Sequence, residues 1–351
     1  MSYIPKPSAH HPALPRNALG LTRRDYEGTM STLCAGCGHD SITAALIEAC
    51  FELDIPAHRI AKVSGIGCSS KAPTYFLSRS HGFNSVHGRM PSITTGAAIA
   101  NRDLVYIGVS GDGDTASIGL GQFCHAVRRR LNMTYIVMNN GCYGLTKGQF
   151  SATNDKTSPS KKGEPNPFDA IDLCQLAIQL GAGFVARSFS GDKAQLIPLI
   201  KAAINYNGFA FLDVISPCVT FNNHPASTKS YDYVRAHNQA VDSLDFIEEK
   251  DEITASYAEG TSLAVEMHDG SRLLLHKLGE QHDPRDADAA LMAIRSNAAK
   301  GAVATGLLYI DPAQQDMHDI LATDKRALNA VPMAELCPGN KALEAINARL
   351  R

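Results

Sequence analysis

The sequence predicts an α/β fold, a parallel sheet with helices on both faces, followed by a C-terminal extension of helices and irregular chain. Three observations lead there. Segments that are apolar throughout recur over the first 220 or so residues, as strands buried on both faces do. Helical patterns of about 10–15 residues separate them, and the alternation fades beyond Ser216. Residues 1–30, with Pro5, Pro7, Pro12 and Pro15 and two adjacent histidines, lack periodicity and read as an extended arm laid over another surface. Residues 41–53 put Ile42, Ala45, Leu46, Ala49 and Leu53 at helical spacing, with Asp40 as N-cap. A short strand is expected at 59–64, a small-residue helix at 92–100 and an apolar strand at 103–110. Leu120, Phe123, Val127 and Leu131 mark a helix before a second buried strand at 133–139. Helices at 171–180 and 193–206 then alternate with strands at 184–189 and 210–215. The long polar stretch 151–167 reads as a mobile or partner-contacting loop. Three parts result: the arm 1–30, an α/β domain 31–224, and the extension 225–351, with a hairpin around Asp269-Gly270.

The chain has 351 residues, 44% hydrophobic and 19% charged, enough apolar material for a sizeable core and too much for disorder. No apolar run approaches the ~18 residues of a membrane span, and the N-terminal residues lack the apolar segment of a secretory signal. Nine cysteines, an odd count, argue against a secreted disulfide framework. They suit metal ligation or reactive thiols in a reducing compartment, so a cytoplasmic protein is expected. The net charge of −2 divides into +6 over residues 1–230 and −8 over the remainder. A mildly positive first part suits small anionic ligands. Its basic residues are too scattered for a nucleic-acid footprint.

In sheets of this kind ligands gather at the C-terminal strand ends, so the loops after Ser64, Ser110, Asn139 and Ile215 matter most. One of them carries Gly111-Asp112-Gly113-Asp114, and 25 residues separate Gly113 from Asn139-Asn140. Gly113 lets backbone approach a phosphate, and the following helix offers N–H groups to an anion. Mg²⁺ takes oxygen ligands and shares them with substrate phosphates. The Asp112 carboxylate, the Asn140 amide oxygen and a carbonyl near Cys142 supply three. An isolated Gly-Asp-Gly is usually a turn. In strand context, with paired asparagines at this interval, the combination resembles the thiamine diphosphate signature.

Cysteines form a second constellation. Cys34-Ala35-Gly36-Cys37 precedes a helix, Cys68 lies in Gly65-Ile66-Gly67-Cys68-Ser69-Ser70, and Cys218 follows Ser216-Pro217. Four such thiolates bind Zn²⁺ or an iron–sulfur cluster. Gaps of 30 and 149 residues are unlike a zinc ribbon, and a thioredoxin-type redox pair is another, lesser reading of Cys34 and Cys37 taken alone. Cys50, Cys124 and Cys174 fall in expected helices, and Cys337 lies far down the extension.

Taken together the motifs resemble the β subunit of the 2-oxoacid:ferredoxin oxidoreductases. The match runs through Leu33-Cys34-Ala35-Gly36-Cys37-Gly38-His39, Gly65-Ile66-Gly67-Cys68-Ser69-Ser70-Lys71 and His87-Gly88-Arg89-Met90-Pro91. It continues in Gly111-Asp112-Gly113-Asp114, Asn140-Gly141-Cys142-Tyr143-Gly144-Leu145-Thr146-Lys147-Gly148-Gln149 and Ser216-Pro217-Cys218, covering about residues 22–240. Leu33-Cys34-Ala35 departs from the family's frequent Trp-Cys-Pro, which changes packing but spares the ligands. The resemblance implies a thiamine diphosphate-binding fold. It implies a [4Fe–4S] cluster on Cys34, Cys37, Cys68 and Cys218, and Mg²⁺ on Asp112, Asn140 and the Cys142 carbonyl. Ile66, Gly67, Cys68, Ser69, His87, Gly113, Asp114, Gly144 and Leu145 would line thiamine diphosphate. His87, Lys71 and Lys147 would act in catalysis, Lys71 pairing with the substrate carboxylate and Lys147 with the diphosphate or substrate.

The implied reaction converts a 2-oxoacid, coenzyme A and oxidised ferredoxin to acyl-CoA, CO₂ and reduced ferredoxin, reversibly, so that reductive carboxylation is open to it. Cys218-Val219-Thr220-Phe221-Asn222 and Leu21-Thr22-Arg23-Arg24-Asp25-Tyr26 look most like the 2-oxoglutarate-type subunits, which gives succinyl-CoA as product. Pyruvate or another 2-oxoacid, or a non-redox thiamine decarboxylase, is the alternative. No Glu stands in a motif that would contact the aminopyrimidine ring, and the family supplies that Glu from its α subunit. A dimer of αβ heterodimers is expected, with no nucleic acid or membrane partner.

Overall fold

The computed structural model describes residues 6, 11–158, 164–221, 251–266, 272–337 and 339–350. Its apolar runs become strands β1 (Ile60–Ser64), β2 (His81–Asn84), β3 (Val105–Gly111) and β4 (Met133–Asn139). After a short hairpin of β5 (Cys142–Tyr143) and β6 (Gln149–Phe150) come β7 (Phe184–Phe189) and β8 (Phe209–Ile215). The remaining strands are β9 (Ser262–Glu266), β10 (Arg272–Lys277) and β11 (Ala302–Ile310). Among the described residues nine of these build one sheet, in the order β2-β1-β3-β4-β8-β7-β11-β10-β9. The first six run parallel. Helices α1 (Gly38–Glu52), α2 (Met90–Ala100), α3 (Leu120–Arg128), α4 (Leu173–Gln179), α5 (Lys193–Asn205) and α6 (Ala287–Ala298) cover it. Among the described residues no helix is long and apolar enough to cross a membrane.

Strand periodicity of two decides which side chain enters which layer. Met133, Tyr135 and Val137 of β4 face α2, α3, α4 and α6, while Ile136 and Met138 face α1 and α5. Phe209 and Phe211 of β8 likewise separate from Ala210, Leu212 and Val214. On the first side Phe123 of α3 packs edge-on against Tyr135, Phe209 and Phe211, with ring centroids 5.1–5.9 Å apart. Such aromatic contacts add to plain area burial. The described part of the arm lies over α1: Tyr26 is buried against Phe51, and Arg23 pairs with Glu48.

Two sequence expectations shift. Helix α1 starts at Gly38 with Cys37 as N-cap, not at Asp40. Its first turn is tied elsewhere, because Gly38 N–H donates to the Pro217 carbonyl at 3.2 Å, and Asp40 accepts from Ser31 instead. The extension also holds more β-structure than the expected helices and loops. Strand β11 pairs antiparallel with β7, β10 parallel with β11, and β9 antiparallel with β10. The β9/β10 pairing matches the expected hairpin, although Asp269-Gly270 lies outside the described residues. Short helices α7 (Met317–Leu321), α8 (Met333–Leu336) and α9 (Gly339–Arg349) follow.

Candidate functional site

Strand order places β1 between β2 and β3, so successive connections leave β1 in opposite directions. That reversal opens a crevice at the carboxyl ends of β1 and β3. Residues 65–70 enter it from β1 and residues 111–114 from β3, packed so closely that side chains are restricted. A Cβ on Gly65 would lie 2.3 Å from Asp114 Oδ2 and 2.5 Å from Ser110 Oγ. Gly67 adopts φ +85 ahead of the 3-10 turn Cys68–Thr74, a backbone state open mainly to glycine. A Cβ on Gly113 would meet the Tyr143 ring at 2.5 Å, and the Tyr143 hydroxyl donates to the Gly113 carbonyl at 2.9 Å. Residues 87–88 arrive from β2, where Gly88 N–H donates to Asp114 Oδ1 at 2.6 Å. Asp114 also accepts from Ser110 at 2.9 Å. Residues 114–118 form a π-turn, a helical irregularity common at functional sites.

Asp112 is 1% exposed. The Asn140 backbone N–H donates to its Oδ1 at 3.3 Å, and Cys142 N–H donates to Asn140 Oδ1 at 3.1 Å. Asp112, Asn140 and Cys142 are thus one hydrogen-bonded knot. Two residues that sequence reasoning missed complete it. Thr153 donates to Asp112 Oδ2 at 2.8 Å, and Ser151 donates to the same oxygen. Ser151, Thr153, Asn154 and Ser158 are buried, so the first half of the expected mobile loop is packed against the site. Residues 159–163 are outside the described set. A polar loop facing a predicted buried carboxylate was the available signal.

The four predicted cysteines lie on three segments, and their thiols are near enough to influence one another. Gly38 N–H joins the Cys34/Cys37 turn to Pro217, and buried His39 bonds Ser216 through Nδ1. Burial pushes the Cys34, Cys37 and Cys68 thiols up, Cys68 to about 11, and the nearby Cys218 raises each further. Phe221 N–H donates to Cys218 Sγ at 3.3 Å, while Asn222 lies outside the described residues. Lys71 is half-buried, and its ammonium opposes the rise of Cys34 and Cys68. All nine cysteines are free thiols. Cys50, Cys124 and Cys174 sit in α1, α3 and α4.

Gly144 links the two constellations. A Cβ there would lie 3.4 Å from Cys68 Sγ and 3.9 Å from Asn140 Nδ2, ordinary contact with both. The turn beyond it is tight: Lys147 N–H donates to the Gly144 carbonyl at 3.2 Å, and Lys147 takes φ +77, a strained value for a residue with a side chain. His87, Leu145 and Lys147 are exposed on these loops, whereas Ser69 is buried and Ile66 half-buried. Among the described residues no group of three or more His, Cys, Asp or Glu is drawn up around a single ion.

Residues 65–214 match the thiamine pyrophosphate enzyme family, C-terminal TPP binding domain, which bears out a thiamine diphosphate-binding fold. A 2-oxoacid:ferredoxin oxidoreductase subunit beta from a Sulfolobus species is 43% identical over 191 residues, covering 54% of this chain and 63% of that one. The 2-oxoglutarate synthase subunit KorB of Methanocaldococcus jannaschii is 40% identical over 192 residues, covering 54% and 69%. Among solved structures, the 2-oxoglutarate:ferredoxin oxidoreductase from Magnetococcus marinus, with 2-oxoglutarate, coenzyme A and succinyl-CoA bound, superposes with a TM-score of 0.69. It is 30% identical, and the overlap covers 86% of this chain and 89% of that one. The chain spans less than two thirds of the Sulfolobus relative's length. Motif order, the strand-order reversal at β1/β3 and these similarities agree that the chain belongs to the 2-oxoacid:ferredoxin oxidoreductase β-subunit family.

Proposed function

We propose that this chain is the β subunit of a cytoplasmic 2-oxoglutarate:ferredoxin oxidoreductase, converting 2-oxoglutarate, coenzyme A and oxidised ferredoxin to succinyl-CoA, CO₂ and reduced ferredoxin. The observation that carries the reading is the position of Gly144, where a Cβ would meet both Cys68 and Asn140. Separate chemistries would not need to be neighbours; oxidative decarboxylation does. Thiamine diphosphate, when bound, supplies the carbon nucleophile and electron sink for CO₂ loss, and an iron–sulfur cluster accepts the electrons one at a time.

The chain's own residues fit both groups in kind. Asp112, Asn140 and the Cys142 carbonyl would be the hard oxygen donors that Mg²⁺ takes, on residues joined through the Asn140 and Cys142 N–H groups. Cys34, Cys37, Cys68 and Cys218 would be the soft set for a [4Fe–4S] cluster, and the Gly38–Pro217 and His39–Ser216 bonds join the Cys34/Cys37 turn to the Cys218 segment. Ile66, Gly67, Ser69, Gly113 and Asp114 would line the diphosphate, and Gly144 and exposed Leu145 would border it. Lys71, beside the thiols, would pair with the substrate carboxylate; exposed His87 and Lys147 would engage cofactor or substrate at the mouth. The substrate follows the similarity to KorB and to the Magnetococcus structure with 2-oxoglutarate bound.

The α subunit would close the site and supply the activating Glu, in a dimer of αβ heterodimers. Anaerobic co-purification with that partner, followed by CoA-dependent ferredoxin reduction across a panel of 2-oxoacids, tests the proposal. Turnover is expected with 2-oxoglutarate and is expected to vanish when this chain is assayed alone. Preference for pyruvate would overturn the substrate, and robust activity of the single chain would overturn the shared site.

A further inference from the structure

Behind Asp112 a row of buried polar groups crosses three strands of the sheet. Thr153 Oγ1 lies 2.8 Å from Asp112 Oδ2, 3.0 Å from Asn139 Oδ1 and 3.0 Å from Ser151 Oγ, and the two acceptor oxygens of Asp112 and Asn139 compete for its one proton. The Asn139 amide Nδ2 donates to Asp213 Oδ1 at 3.0 Å. Asp213, 2% exposed, is the cross-strand partner of Arg187 on β7 and of Val137 on β4. Arg187 Nε donates to Asp213 Oδ2 at 2.9 Å, and its Nη2 to Asp172 Oδ1 at 2.8 Å.

A buried ion pair is weak grounds for stability, since apolar side chains of similar volume often do better. The row has a direction, however. Asp213 receives the Arg187 donor on Oδ2 and offers Oδ1 as an acceptor. Asn139 must therefore turn its NH₂ toward Asp213 and its oxygen toward Thr153. That fixes the Thr153 hydroxyl between the amide oxygen and the Asp112 carboxylate. We propose that Arg187, Asp213, Asn139 and Thr153 are positioning residues that hold the Asp112 carboxylate in the orientation needed to bind Mg²⁺ with a diphosphate. The inference rests on the reading of Asp112 as a Mg²⁺ ligand and extends it to groups that touch neither metal nor cofactor.

The test uses the complex with its α partner, stripped of divalent metal, with Mg²⁺ titrated at fixed thiamine diphosphate and binding followed by calorimetry. Outer-shell partners of metal ligands change affinity by about 10–100-fold. Thr153→Val and Asp213→Asn are each expected to raise the half-saturating Mg²⁺ concentration by about that factor, whereas Thr153→Ser, which keeps the hydroxyl, stays within about threefold of the parent. Iron content should not change in any of them. If the two disruptive variants melt at lower temperature but keep the parental Mg²⁺ midpoint, the row is structural only and the inference fails. Should Asp213→Asn not fold, the Thr153 pair decides alone. A parent complex that takes up no thiamine diphosphate with Mg²⁺ defeats the underlying reading, an outcome distinct from parental binding that the variants leave unchanged.

Discussion

Gly38 N–H donates to the Pro217 carbonyl, joining the Cys34/Cys37 turn to the segment that carries Cys218 across 179 positions of sequence. The approach is close because Gly38 lacks a side chain: a Cβ there would lie 2.7 Å from Ser216 Oγ and 2.8 Å from Ser190 Oγ. Gly38→Ala should therefore push the C-x-x-C turn away from Cys218 and lower the iron retained per chain by at least about half. Iron assay beside a thermal melt checks this. Parental iron in a folded variant would show that the junction does not hold the thiols together.

Lys62 is buried on β1 with all three ammonium donors used, on the carbonyls of Pro73, Phe76 and Leu77 at 2.6, 2.6 and 2.9 Å. Burial pulls it down to about 8. The Pro73 carbonyl lies in the turn that bears Cys68 and Lys71 and the other two follow it, so Lys62 clasps that turn to the strand it left. Lys62→Met strands the three acceptors and should cost about 3 kcal/mol, read from denaturant unfolding. No loss of stability would remove the clasp from the account.

Acid stability gives a third test. Burial alone would raise the Asp172 carboxyl, but the Arg187 guanidinium and hydrogen bonds from Gln175 hold it below its usual 3.8. A carboxylate depressed in the folded state adds stability that is fully present above the ordinary value and is lost as pH falls through the folded one. Asp172 also caps α4, a role that asparagine performs equally well. Asp172→Asn should then lower stability at neutral pH and flatten its decline below about pH 4. Parallel acid limbs for parent and variant would count against a charged Asp172–Arg187 contact.

What the sequence disclosed follows from which forces leave a pattern. Strands β4, β7 and β8 were legible because burial on both faces writes an unbroken apolar run, and their bounds differ from expectation by at most one residue. Edge strand β2, His-Gly-Phe-Asn, is exposed along its length and has no such run. Strand β11 is apolar, yet it follows a charged region and pairs antiparallel with β7, a partner more than a hundred positions earlier. The cysteine and Gly-Asp-Gly motifs were legible through spacing. Ser151 and Thr153 were not, because their polarity reads as solvent exposure until Asp112 is seen to need donors. Buried Lys62 was hidden for the same reason.

The most direct test of the central claim is iron and acid-labile sulfide analysis of the anaerobically purified αβ complex, before and after Cys68→Ser and Cys218→Ser substitution. The account predicts that about four irons and four sulfides belong to this chain and that either substitution removes them. Parental iron in both variants, or one zinc in place of iron, would contradict it.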